Sequence, residues 1–278
     1  ALVVEENPAP DSGDLGFMAR AMTLCTLPHS DPKAQEFIRR NGDYTMTMLA
    51  PKAIGLPYGS IPRLLLAWIS SEATRTGNRV LVLGGSLSKF MRELGLTPTG
   101  GEKGDITRLR DQMRRLFACS IQCNYSTSHH DSGMTFHFVD EYSIWWHPQA
   151  EEHAGTWQST LTLSEKFFNE ITQSPVPIDI RVLKALKRSP MALDLYVWLT
   201  FRNSYLKKTT LITWQQLQMQ FGAEYARTDN FKMKFNDAKR KVLIMYPDAK
   251  IKSTLNGILI SPCKPHISKS GRKKLLKT

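Results

Sequence analysis

Two stretches of this chain set lysine and arginine at helical spacing opposite an apolar stripe. The first runs from about Glu102 to Ala118. On a wheel of about 100° per residue, Ile106, Leu109, Met113, Leu116 and Phe117 share one face. Arg108, Asp111, Gln112 and Arg115 point the other way, with Arg110 and Arg114 on the flanks. The second stretch spans about Asp229 to Met245. Phe231, Phe235, Ala238 and Val242 form its buried stripe, Lys232, Met233, Asn236 and Arg240 face out, and Lys234, Lys239 and Lys241 flank them. The chemistry open to such faces is contact with nucleic acid. Arginine can bond O6 and N7 of guanine together, and flanking cations neutralise phosphate. On this reading Arg108, Gln112 and Arg115 read bases from the first helix, and Lys232, Asn236 and Arg240 from the second. Lys103, Arg110, Arg114, Lys234, Lys239 and Lys241 hold phosphates, together with Lys250 and Lys252 of a following hairpin. A single basic amphipathic helix is more often just a solvated face; the argument rests on there being two in one repeated frame.

Other chemistry finds little support. Cys119, Cys123, His129, His130 and His137 fall within one hairpin, but no second close cysteine pair follows, and Cys119 and Cys123 share strand parity, so burial accounts for them. No metal and no cofactor is expected. Gly84-Gly85-Ser86 and Gly100 to Gly104 lack the spacing of a nucleotide-binding loop. His129-His130 are adjacent and His147 and His153 stand apart, so the His-x-His cluster of a DNA-nicking enzyme is missing. Asp140-Glu141 reads as a surface pair. No enzyme activity is expected.

The elements that must position the basic helices are said twice. In residues 60–95 Ser60 and Pro62 open a helix filled by Leu64, Leu65, Leu66, Ala67, Trp68 and Ile69. Val80 to Leu83 then form a strand, and Ser86 caps a helix carrying Leu87, Phe90, Met91 and Leu94. In residues 189–222 Ser189-Pro190 opens a helix, Thr209 to Thr213 is a strand, and Thr213 caps a helix ending at Gly222. The block LLLAWIS (64–70) aligns with DLYVWLT (194–200), Trp68 falling on Trp198, and both tryptophans read as core. Each copy continues into its basic helix and then a hairpin: Ser120–Tyr125 with Met134–Val139 around residues 129–133, and KIKSTLNGILI with Asn256-Gly257 as a two-residue turn. Two copies suggest duplication and not a solenoid. Helix, strand, helix, basic helix and hairpin is the order of a winged helix, whose third helix enters the major groove.

The formal charge of +12 points to a polyanionic partner. A length of 278 residues accommodates two domains. No apolar run is long enough to span a bilayer, no signal peptide opens the sequence, and the four cysteines make no disulfide framework, which suits a reducing cytosol. Residues 1–16 read as disordered, 17–150 as a first winged-helix domain beginning with a helix at Phe17, 151–263 as a second, and 264–278 as a disordered basic tail that adds phosphate affinity. Thr45 to Leu49 is a strand, Tyr142 to Gly155 a connector with Trp145 and Trp146, Thr160 to Leu163 a strand, Ser164 to Ile171 a helix, and Asp179 opens another. The expected class is α+β: two tandem winged-helix domains, mainly helical, with small hairpin wings.

The segments TLCTLPHSDP (23–32), IGLPYGSIPRLLLAWISSEATRT (54–76) and LVLGGSLSKFMRELGL (81–96) resemble the plasmid-encoded RepA replication initiator family of Gram-negative bacteria. The resemblance is strong from about Phe17 to Asp140 and thinner through the second copy. It implies two winged-helix domains that bind tandem origin repeats (iterons) as monomers, and repression of the protein's own gene as a dimer on an inverted repeat. It also implies melting of an AT-rich segment, recruitment of the host initiator and replicative helicase, and no nuclease or ATPase site. The matching motifs are scaffold segments, so the contact residues above rest on the wheels alone. The alternatives are a transcriptional repressor that opens no origin and, from another class, an enzyme acting on DNA ends or nicks.

Overall fold

The computed structural model describes residues 14–146, 159–222 and 225–267. The chain starts in strand β1 (Leu15–Met18) and a short helix α1 (Arg20–Leu24), where a helix from Phe17 is expected. The reason is tertiary: β1 pairs antiparallel with β9 (Val176–Asp179), Leu15 opposite Asp179 and Met18 opposite Val176. Strands β2 (Glu36–Asn41) and β3 (Tyr44–Leu49) follow as a hairpin, β2 without a forewarning pattern.

The repeated unit forms as read. Helix α2 (Ser60–Thr76), strand β4 (Val80–Val82) and helix α3 (Leu87–Glu93) make the first copy, the Ser86 hydroxyl accepting from the Lys89 N–H at 3.2 Å. Helix α7 (Pro190–Asn203), strand β10 (Thr210–Thr213) and helix α8 (Trp214–Phe221) make the second, Thr213 and Gln216 forming a reciprocal capping box. Between them lie β8 (Thr160–Leu163), α5 (Glu165–Gln173), β9 and α6 (Ile180–Leu186). Trp198 is buried, while Trp68 is half-buried, packed edge-on against Phe90 and donating to Glu93 at 3.0 Å.

The hairpins differ from expectation. Basic helix α4 (Asp105–Ala118) leads into β5 (Ser120–Ser126) and β6 (Asp131–His137), but this pair extends the first hairpin into a four-stranded sheet ordered β2-β3-β5-β6. The strand that pairs with β4 is β8, flanked by β7 (Val139–Ser143), giving the order β4-β8-β7. The second copy carries the same order in β10-β12-β11, where β11 (Lys250–Ser253) and β12 (Gly257–Ser261) follow basic helix α9 (Thr228–Met245). The expected division at 150/151 therefore runs through a paired hairpin, and β8 belongs with the first copy. Among the described residues four sheets form, more than the small wings expected.

The turn of the second hairpin sits one residue earlier than read. Thr254 N–H donates to Gly257 O at 2.8 Å, which centres the turn on Leu255-Asn256. Gly257 serves close approach instead: a Cβ there would lie 2.0 Å from Ile212 O on β10.

Buried apolar side chains from Met18 to Ile260 form one connected core, so the halves are not separate bodies. Their junction is polar. Arg63 in the first turn of α2 and Asp194 in α7 are both buried. Arg63 Nε and Nη2 bond the two Asp194 oxygens at 2.7 Å each, and Nη1 and Nη2 reach Pro28 O, Gly59 O and Leu27 O at 3.1, 2.6 and 2.7 Å. His29 Nε2 lies 2.8 Å from the same carboxylate. A second junction joins β2 to α8: buried Arg39 bonds Thr26 Oγ1 and Phe221 O, and Gln220 Nε2 donates to Leu24 O. The predicted ends fall largely outside the described residues, as do 147–155 of the connector. Leu15 and Gly16 are nonetheless in β1, and Lys264 O and His266 Nδ1 are held by Tyr246 and Tyr196 hydroxyls at 2.6 and 2.8 Å.

Removing one partner of a buried ion pair strands the other charge. Arg63→Met is expected to lower stability by about 3–5 kcal/mol, and Arg63→Met/Asp194→Leu to recover part of it, read from denaturant midpoints. Burial pushes the Asp194 carboxyl up, but Arg63 and the bonds from Arg63 and His29 outweigh it and hold the group below the usual carboxylate range. The folded form is thus the weaker proton binder. Its contribution is complete above about pH 4 and fades as the pH falls through the lower folded value. Asp194→Asn should flatten that acid limb of a melting-temperature profile.

Candidate nucleic-acid interface

Each basic helix is seated by the repeated unit beneath it. Leu109, Met113, Leu116 and Phe117 bury α4 against α2, and Phe231, Phe235, Ala238 and Val242 bury α9 against α7. These are the stripes read from the sequence.

On α4 the opposite face only partly matches the wheel. Thr107, Arg110 and Arg114 line up as one exposed stripe, with exposed Arg108 beside it, 3.0 Å from Asp105, and exposed Lys103 lies in the turn that leads into the helix. Gln112 is buried: its Oε1 accepts the Tyr58 N–H at 2.8 Å and its Nε2 donates to Asp111 at 3.0 Å. Arg115 is mostly covered, bonding Asp111 at 2.9 Å and Leu56 O at 3.3 Å beneath the Tyr58 ring. The turn 55–58 lies across this side of the helix, and a Cβ on Gly55 would fall 2.6 Å from Arg115 Nη1. Gln112 and Arg115 are therefore struts for that turn, not the base readers the wheel suggests. A wheel locates the apolar stripe but not a loop that returns over the polar side.

On α9 the three sides carry different work. Toward the β11–β12 hairpin, Asn236 Nδ2 donates to Lys232 O at 2.9 Å and its Oδ1 accepts the Ser253 hydroxyl at 2.6 Å. Lys239 also reaches Ser253. Desolvation, then the charge of Arg240, lowers the Lys239 pKa. Asn236 thus spends its amide on holding the hairpin, which corrects its assignment as a base reader. Lys232 is half-covered, its ammonium 5.9 Å from the Trp214 ring centre. Facing out are Arg240, paired with Asp237, and two apolar residues, Met233 and Ile244. On the third side exposed Lys234 and Lys241 line a cleft with Arg188, Ser189, Ser30 and His29. Lys250 and Lys252 are exposed on β11, where strand parity turns Ile251 inward.

Of the residues singled out in the sequence, Lys103, Arg108, Arg110, Arg114, Lys234, Arg240, Lys241, Lys250 and Lys252 are solvent-facing, and Lys232 is partly so. Arg188, Ile244 and Leu255 were not among them, although Arg188 directly precedes the Ser189-Pro190 helix start. Cys25, Cys119 and Cys123 are buried free thiols, and burial pushes Cys119 up to about 12. Such groups are protonated and unlike metal-binding thiolates. Among the described residues no His, Cys, Asp and Glu group could hold a metal ion, and no helix is long and apolar enough to cross a membrane.

Two solved structures share the fold. One, of domains 2 and 3 of RctB, aligns with a TM-score of 0.57 at 12% identity over 90% of this chain and 97% of that one. A second structure of the same domains gives a TM-score of 0.53 at 12% identity over 87% and 96%. No curated protein matches the sequence. The family model described as plasmid-encoded RepA protein matches residues 56–216, from the turn over α4 through the first turn of α8. That is more than half of the chain, and it contains α2, α4 and both Arg63 and Asp194: the chain belongs to the family of plasmid-encoded RepA proteins.

Proposed function

We propose that this protein initiates replication of a plasmid by binding tandem repeats at its origin through two winged-helix units. The observation that carries this reading is the repeated arrangement of α2-β4-α3-α4 closed by β4-β8-β7 and α7-β10-α8-α9 closed by β10-β12-β11. In each unit the third helix is the basic one, and in α9 exposed Arg240 faces out, with exposed Lys234 and Lys241 along one flank and half-covered Lys232 on the other. That is the layout of a helix seated in a major groove with phosphate contacts along its walls. Membership of the RepA family supports the replication role.

Binding requires no catalytic step, and the reading includes none. Arg240 reads bases from α9, and Arg108 from α4. Lys103, Arg110, Arg114, Lys232, Lys234, Lys239, Lys241, Lys250 and Lys252 supply phosphate affinity. Because one core joins the two units, the spacing between the two helices is set by the fold and not by a linker, so a single repeat presents about two successive major grooves. As a dimer on an inverted repeat at its own promoter the protein represses its gene. In the cytoplasm the host initiator and the replicative helicase are its further partners. A repressor with no origin role is the competing reading.

A footprint on DNA flanking the protein's own gene, at physiological salt where non-specific contacts are suppressed, separates the two. Several evenly spaced protected direct repeats are expected; protection confined to one inverted repeat at the promoter would leave only the repressor. Residue roles separate by binding titrations over a salt series. Lys234→Ala should weaken all sequences alike and reduce the log–log salt slope by about 0.9. Arg240→Ala should cost about 1–3 kcal/mol at one base position and relax preference there. Gln112→Ala should leave the preference unchanged and cost about 1–3 kcal/mol of folding stability, because the Tyr58 N–H loses its acceptor.

A further inference from the structure

Among the described residues Leu255 is the most exposed large apolar side chain, at 90%, where Trp145 and Ile244 follow at 62%. It sits at the tip of the β11–β12 hairpin, and the tip is not loose. Trp214, at the start of α8, donates twice, to the carbonyls on either side of Leu255: its backbone N–H to Asn256 O and its indole Nε1–H to Thr254 O, each at 3.2 Å. Thr254 and Gly257 close the turn, with Thr254 N–H to Gly257 O at 2.8 Å and Gly257 N–H to Thr254 Oγ1 at 3.2 Å. Trp214 itself is buried, its ring edge-on to Phe231 and Phe235 of α9. One residue therefore clamps the carbonyls of both neighbours of Leu255 and roots them in the core that seats the basic helix. A leucine so held cannot fold back to cover itself, although burial of its side chain is favourable.

The surroundings say what could bury it. Lys250 and Lys252 are exposed on β11, and the Lys232 ammonium stands over Trp214. An apolar tip on a hairpin whose strand and adjoining helix carry cations fits a polyanion with an apolar interior, and a stack of base pairs inside two phosphate strands is that object. We propose that Leu255 is a wedge that enters the minor groove of double-stranded DNA beside the groove occupied by α9 and partly unstacks one base step. Side chains of this type kink duplexes when inserted between base steps, and flexible pyrimidine–purine steps yield at least cost. The inference rests on the DNA-binding reading above and adds to it a distortion of the duplex at a fixed distance from the sequence-reading helix.

The test uses the full chain and duplexes selected by it from a random-sequence pool, with 2-aminopurine placed at successive steps and a donor–acceptor dye pair on the ends. Wild type is expected to raise 2-aminopurine fluorescence at one step beside the α9 footprint and to shorten the end-to-end distance. Leu255→Ala should abolish both signals while binding weakens by less than about tenfold, since the lost contact and the saved unstacking cost offset each other. Leu255→Met should keep both signals. Leu255→Lys, which adds charge, should bind at least as tightly as Leu255→Ala and still leave the step stacked. Melting curves should match wild type for all three, because the side chain touches little. Unstacking and bending by Leu255→Ala at wild-type levels would overturn the wedge and leave the tip to a protein partner. Specific binding by wild type with no unstacked step would also overturn it while sparing the DNA-binding reading, whereas failure to select any duplex would sink both.

Discussion

Arg63 and Asp194 set the terms for everything else in the molecule. A guanidinium and a carboxylate out of water are costly unless every donor and lone pair finds a partner, and Arg63 meets that demand with five bonds, two of them to Asp194 and three to carbonyls of the 27–28 and 59 backbone. The geometry leaves little freedom. It presses the start of α2 against the second copy's α7 and brings the Leu27–His29 segment between them. Since α4 packs on α2 and α9 on α7, this junction also holds the two basic helices in one frame. On the proposed reading, two helices placed on one continuous duplex gain from such a fixed spacing, because the second contact is then made at no further cost in orientation.

The two units reach one sheet order by different routes. In the second, the strand after α8's unit closes directly, β11 and β12 following α9. In the first, β5 and β6 intervene and are drawn off to extend β2 and β3, and the closing strands are β7 and β8. The diverted hairpin has its own use: the four-stranded sheet it completes presents β2 to α8 of the other half, where Arg39, Thr26 and Gln220 interlock. The added sheet is thus a second clamp between the halves, made from backbone that a minimal unit would expose as a wing.

Polar side chains near the basic helices divide by whether the fold has already used them. Gln112, Arg115 and Asn236 have their donors and acceptors engaged within the protein, and freeing them for a base would leave Tyr58, Leu56 or Ser253 without a partner. Arg110, Arg114, Lys234 and Lys241 carry no such burden. The exposed cations are therefore residues that cost the fold nothing, and the hairpin beside α9 is held by polar groups that are already engaged.

What the sequence determined by itself is everything that local periodicity encodes. The duplicated helix–strand–helix frame, the buried stripes of α4 and α9, the caps at Ser86 and Thr213, the helix starts near Ser164 and Asp179, and the surplus of positive charge all follow from residue type and spacing along a few turns of chain. Two of the three RepA motifs, 54–76 and 81–96, lie in those same segments, which is why the family was legible there. Tertiary structure decided the rest. Strand partners are chosen between segments far apart in the chain, so nothing local distinguished β6 from β8 as the mate of β4, or foretold that β1 would pair with β9. A helical wheel knows only one helix, so it could not show the 55–58 turn over Gln112 or the hairpin on Asn236. Nor could it show that Trp214 would hold Leu255 out in solvent. Gly257 looked like a turn residue because glycine is common in turns; it is needed because Ile212 O on a neighbouring strand leaves no room for a Cβ, and that is a constraint no local pattern contains.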